Sequence, residues 1–170
     1  MGSWLMPATA KVPKDKQFVI EFNLRKQFRS MNATFSETKE GGIEMQWTQT
    51  RDMNTYSGSF VNSAAARAEA TRLCYIAPTP GDPVIVPDDE LFAFIPTRAF
   101  DEMRKEGLFR YNNTEFILDE NSEISMGYKL LHLKDYDEGT EIWVIEDKTF
   151  PLICRMKNNP IGIDWEIRLK

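Results

Sequence analysis

Ile161-Gly162-Ile163-Asp164-Trp165-Glu166-Ile167-Arg168-Leu169-Lys170 closes the chain. Its odd-numbered positions carry Ile, Ile, Trp, Ile and Leu, while Asp164, Glu166, Arg168 and Lys170 alternate with them. Period two with one apolar and one charged face marks a half-buried strand of an antiparallel sheet. A slip of one residue would turn every large apolar group to water. Trp165 is therefore expected in the core and Asp164 at the surface.

Working back from this stretch, 128–134, 140–145 and 150–157 read as three more strands, with the last strand over 163–169. Asp135-Tyr136-Asp137-Glu138-Gly139, Glu146-Asp147-Lys148 and Asn158-Asn159-Pro160 separate them. A parallel crossover needs a dozen or more residues, so these connections predict a consecutive antiparallel meander. The first third repeats the pattern. Phe18, Ile20, Phe22 and Leu24 share one face of a strand over 18–24, with Glu21 and Asn23 on the other. A strand over 31–35 follows. After the turn Gly41-Gly42, Ile43, Met45 and Trp47 alternate with Glu44, Gln46 and Thr48, and a fourth strand is expected around 56–61.

Between the two meanders the pattern changes. The alanine-rich stretch 63–77 reads as a helix capped by Asn62 or Ser63 and ended by Pro78. Pro78-Thr79-Pro80-Gly81-Asp82-Pro83 is a stiff loop, since proline fixes φ and removes donors. A short strand over 91–95 leads to a second helix over 97–106, capped by Thr97 and stopped by Gly107. Asn112-Asn113 then turns a hairpin, since asparagine tolerates positive φ. The fold class is thus mainly β with two helices: a curved antiparallel sheet or half-barrel whose concave face the helices cover. Residues 1–16 read as a flexible N-terminal segment and 17–170 as a single domain.

The chemistry-bearing residues are sparse. With 170 residues and a net charge of -5 the chain can bury a sizeable core, and its acidic balance excludes nucleic acid as a partner. No apolar run approaches the roughly 20 residues that span a bilayer, and the start of the chain has no long apolar segment of the kind a signal peptide needs. His132 is the single histidine, and no nucleophile elbow, phosphate loop or metal-ligand spacing accompanies it. No catalytic residue, metal ligand or cofactor is assigned. The acidic turns around Asp88-Asp89-Glu90 and Asp135 read as turn formers. Cys74 and Cys154 read as two buried free thiols, with a disulfide in an oxidising compartment as the alternative. The aromatic residues are the remaining candidates. If the sheet curls, Phe22, Trp47, Phe60, Trp143 and Trp165 are expected to line a concave apolar ligand site. The other reading is that they simply fill the interior.

One hairpin adds a family resemblance. Trp143 at the middle of a strand, the acidic turn at Asp147 and the returning Pro151-Leu152 are similar to the late hairpin of periplasmic lipoprotein-carrier-like half-barrels and related bacterial envelope domains. The resemblance covers only this hairpin. It implies a curved sheet around helices, periplasmic or outer-membrane-associated, that binds an apolar small molecule, lipid or lipidated partner without catalysis. The chain departs from that family in showing neither a signal peptide nor a lipidated cysteine at its start, so a cytoplasmic location stays open. The alternative function is an interaction or structural module with a filled core that meets a protein partner through its surface.

Overall fold

The structure, a computed structural model, describes residues 12–24, 27–75, 77–119, 121–160 and 163–170. Four antiparallel strands come first: β1 (Phe18–Leu24), β2 (Gln27–Glu37), β3 (Ile43–Arg51) and β4 (Asn54–Asn62). Each pairs with the next. Cross-strand partners share a face of the pleat, and the register sets the apolar side chains in rows. Phe18, Ala33, Trp47 and Gly58 form one row, and Phe35, Met45 and Phe60 another. Every large side chain in both rows is buried. β2 and β4 are longer than their alternation suggested, because their added ends are mostly polar and the one large apolar residue there, Phe28, is exposed.

The segment read as a helix over 63–77 is mostly not one. α1 spans Ala64–Glu69, and its N-cap Ser63 accepts the Ala66 N–H at 3.0 Å. Ala70 already has ψ 147°, and Arg72–Leu73 forms β5. The physical reason is tertiary. Arg72 and Leu73 pair in parallel with Glu90 and Leu91, and a six-residue helix is too short to outweigh a buried pairing. Ile76, placed in that helix by its sequence, lies outside the described residues. The proline loop leads to β6 (Val84–Ile85), which adds to β4 in parallel, and then to β7 (Glu90–Leu91). The expected strand over 91–95 shrinks to β7 and a single bridge from Phe94 to Leu152, because Ala93 adopts φ 66°. α2 (Thr97–Glu106) has the expected bounds, but its cap position is Pro96 and Thr97 is already helical. Gly107 ends it at φ 75° with its N–H on the Met103 carbonyl. β8 (Leu108–Tyr111) and β9 (Thr114–Leu118) form the expected hairpin, with Asn112 and Asn113 at φ 60° and 56°.

After β10 (Glu123–Ser125) come β11 (Tyr128–Lys134), β12 (Glu141–Ile145), β13 (Ile153–Lys157) and β14 (Trp165–Leu169). They form the expected antiparallel meander. β14 then pairs with β1, which joins the two meanders into one open, curved sheet in the order β6-β4-β3-β2-β1-β14-β13-β12-β11-β9-β8. Parallel β6 makes it mixed, and β10 pairs β11 beside β9. Ala66 of α1 and Ala99, Phe100 and Met103 of α2 join the same buried cluster as the inner face of the sheet. At its centre, Phe18, Phe35, Phe94 and Phe150 pack with ring centroids 5.3 to 6.2 Å apart, mostly edge to face, as aromatic quadrupoles prefer. Before β1, Val12 is buried and the Lys16 ammonium lies over Tyr128; residues 1–11 lie outside the described residues.

Candidate functional site: an apolar pocket at one end of the sheet

The phenylalanine cluster fills the middle of the concave face. The β1–β14 ladder runs from Phe18↔Leu169 to Phe22↔Trp165. At its far end an apolar pocket of about 70 Å³ opens to the surface. Ile20, Phe22, Met31, Trp165 and Ile167 form its sheet wall. Cys74, Tyr75 and Pro78 from the segment after β5, with Phe92 and Ala93 from the connection into α2, form the facing wall. Polar atoms contribute almost nothing to the lining.

Hydrogen bonds fix both walls. The Trp165 indole N–H donates to the Ile153 carbonyl at 2.9 Å, and the Ile153 N–H donates to the Ala93 carbonyl at 2.8 Å. The Tyr75 hydroxyl accepts from the Asn112 side-chain amide at 2.8 Å and also meets the Asn159 side chain. Burial raises the Tyr75 hydroxyl above its usual pKa despite both amides, so it is a neutral group at physiological pH.

Of the five residues expected to line a concave site, the structure brings two to this pocket, Phe22 and Trp165. Trp165 is half-buried, not fully in the core, because it stands at the open end of the sheet. Asp164 is half-buried too, since its carboxylate accepts the Asn158 and Asn159 backbone N–H groups. Phe60 is wholly buried and stacks on Phe92 at 4.1 Å, so it supports the wall from behind. Trp47 is sealed in the core against Gly58.

Trp143 is on the other side of the sheet. Its cross-strand partners are His132 and Arg155, both facing away from Met156 and Trp165. Its ring stacks on His132 at 4.4 Å, with the Arg155 guanidinium 4.8 Å from the ring centroid. Alternation alone could not separate the faces of β12, whose residues from Ile142 to Ile145 are all buried. A register shift between Trp143 and Val144 compounds this. The expected site left out the other lining residues, among them Ile20, Met31, Tyr75, Phe92 and Ile167. Ile20, Met31 and Ile167 had a periodic signal, while Tyr75 and Phe92 lie outside any alternating strand.

His132 belongs to this outer face. Its Nε2 lies 2.9 Å from Glu141 Oε1 and its Nδ1 3.6 Å from Asp119 Oδ2. Arg155 pairs with Glu123 and Glu166 nearby. These groups contact one another across the strands, on the face of the sheet that Trp143 occupies. Among the described residues no group of three or more His, Cys, Asp or Glu is placed to hold a metal ion. Asp135 spends its carboxylate on the backbone N–H groups of Asp137 and Glu138, as a turn former does. Cys74 and Cys154 are both buried and are not joined to each other by a disulfide.

No protein-family model matches the chain, and no curated protein does. Two solved structures are similar in outline. One is MucB in complex with MucA(peri), 12% identical with a TM-score of 0.44, covering 95% of this chain and 52% of that one. The other is the MucA/MucB complex of Pseudomonas aeruginosa, 14% identical with a TM-score of 0.43, covering 95% of this chain and 54% of that one. The chain thus spans about half the length of either.

Proposed function

We propose that the chain is a non-enzymatic interaction module of the bacterial envelope that takes one apolar group of its partner into the pocket between β14 and the segment after β5. The observation that carries this reading is the pocket itself: apolar, open to the surface and about 70 Å³ in volume. Sites for drug-sized ligands have about 300 Å³ or more, and an empty apolar cavity of about 150 Å³ is enough for benzene. A branched aliphatic terminus fits this space and a whole acyl chain does not. A filled core with a small apolar port therefore suits a protein partner better than a lipid carried in the hollow. The envelope location rests on the resemblance of the hairpin around Trp143 and Pro151, and cell fractionation of the tagged gene product tests it.

A titration with 3-methylbutan-1-ol, followed by the methyl NMR signals of Ile20, Met31 and Ile167, tests the pocket. Saturable shifts confined to these methyls are expected. Ala77→Phe, at an exposed position on the rim, should abolish them while leaving thermal stability unchanged. Shifts that never saturate, or that spread evenly over the protein, would remove the reading. The second reading is an acyl ligand of which only the chain end enters the pocket, favoured by the nearly complete absence of polar lining atoms. Saturable binding of a long-chain fatty acid would promote it.

A further inference from the structure

We propose that Tyr75 is the residue that limits the volume of this pocket, so that the site selects a short branched aliphatic group over a linear chain. The inference rests on the reading that the pocket binds an apolar group, and it assigns the selectivity to one side chain. Three observations support it. First, Tyr75 lines the pocket from the segment after β5, while Phe22 and Trp165 line it from the sheet. Its phenol is the largest side chain that the segment after β5 contributes to the lining.

Second, its position is over-determined. Asn112, which donates to the hydroxyl, is itself held. Its side-chain carbonyl accepts the Leu73 N–H at 3.3 Å, and its own N–H donates to the Thr71 carbonyl at 2.8 Å. Asn159, the other partner, is buried, donates its amide to the Ile163 carbonyl at 2.9 Å and donates its backbone N–H to Asp164 at 3.0 Å. The end of β5, the β8–β9 turn and the β13–β14 connection thus converge on one hydroxyl. A side chain tied to two other parts of the fold is a fixed wall, because moving it breaks a hydrogen bond with half-buried Asn112 and leaves the buried Asn159 amide without that partner.

Third, both asparagine partners satisfy the hydroxyl outside the cavity, so the face Tyr75 presents to the ligand is apolar. An aromatic wall with a satisfied polar end restricts shape without offering a hydrogen bond. Discrimination then depends on volume alone, and a ligand too long for the space must either displace the ring or stay outside. Hydrophobic pockets separate ligands differing by one methylene by about 10- to 200-fold.

The test compares 3-methylbutan-1-ol with octan-1-ol on the full chain and on Tyr75→Ala, using the same methyl signals. The wild-type protein should bind the branched alcohol at least tenfold more tightly than the linear one. Tyr75→Ala removes the phenol and should reverse that order. Tyr75→Phe keeps the ring but loses both tethers, and should narrow the preference without reversing it. If Tyr75→Ala does not fold, Tyr75→Leu carries the same comparison with a shortened apolar wall. A wild-type preference that survives in Tyr75→Ala or Tyr75→Leu would overturn the assignment to Tyr75 and leave the pocket reading standing. No saturable binding of either alcohol to the wild type would overturn both.

Discussion

Gly58 faces Trp47 across the β3–β4 ladder, and the indole occupies the space a side chain would need. A Cβ there would lie 2.8 Å from Trp47 Cζ2 and 2.7 Å from the Thr79 carbonyl oxygen. The second neighbour is backbone and cannot step aside. Gly58→Ala should therefore cost about 1–3 kcal/mol, the usual range for overpacking a filled core, read as a shifted midpoint in urea. A cost below about 0.5 kcal/mol would show that the sheet edge yields. Cys154 gives a second prediction at this scale. Burial pushes its thiol from the ordinary 9.0 up to about 12, and burial likewise holds the Tyr111 hydroxyl well above its ordinary 10.0. In the unfolded chain these groups release protons first. The unfolded state then binds fewer protons than the folded one, and stability falls as pH rises from about 9 towards 12. The thiol contributes no such slope below pH 8. A thiol reagent at pH 8 should leave Cys154 untouched in the native protein and titrate it promptly in denaturant. Rapid native reaction at Cys154 would contradict its placement.

Among the elements, α1 and the segment after it depend most on their surroundings. α1 has six residues and one side-chain cap, Ser63. Arg67, in its last turn, holds it down by donating to the Glu37 carboxylate and to the Gly41 and Thr149 carbonyls at 2.8 to 2.9 Å. Isolated helices this short do not persist in water, so α1 exists because the fold holds it. Ser63→Ala removes the cap and should cost about 1 kcal/mol, measured by thermal melting. Arg67→Ala should cost more, since it leaves two carbonyls in partly buried surroundings without their donor. Equal effects would mean that Arg67 is only a surface charge. The misread stretch 63–77 also shows what composition cannot supply. Alanine favours a helix locally, but the pairing of Arg72 and Leu73 with Glu90 and Leu91 is a contact with residues 18 positions away in the chain, and no local window contains it.

Over the whole molecule, the β1–β14 pairing joins the ends of the described fold. Phe18, Ile20 and Phe22 meet Leu169, Ile167 and Trp165. Removing residues 163–170 would leave β1 and β13 each with an uncovered edge and open the phenylalanine cluster to water. The truncated chain should lose native near-ultraviolet dichroism altogether, with no half remaining folded. In the full chain, tryptophan fluorescence and far-ultraviolet dichroism should report one coincident unfolding transition, because Trp47 lies in one meander and Trp143 in the other. Two separated transitions would show that the meanders are independent.

The sequence by itself determined both meanders, the bounds of α2, the Asn112-Asn113 hairpin and the inward set of β1, β2 and β3. Each follows from period-two alternation or from a turn residue with a specific φ, and these act over a few residues. It also singled out Phe22 and Trp165, which stand on the apolar face of alternating strands. Only the tertiary structure decided that β14 closes against β1, that Trp143 faces outward between His132 and Arg155, and that Phe18, Phe35, Phe94 and Phe150 fill most of the hollow. Only it brought Tyr75 and Trp165 to the same pocket. Alternation divides a strand into two faces but does not say which face is inside when both are buried, as in β12. Likewise, an aromatic residue packs equally well against a ligand or a neighbouring ring, and the space left between walls is set by every chain segment that reaches it.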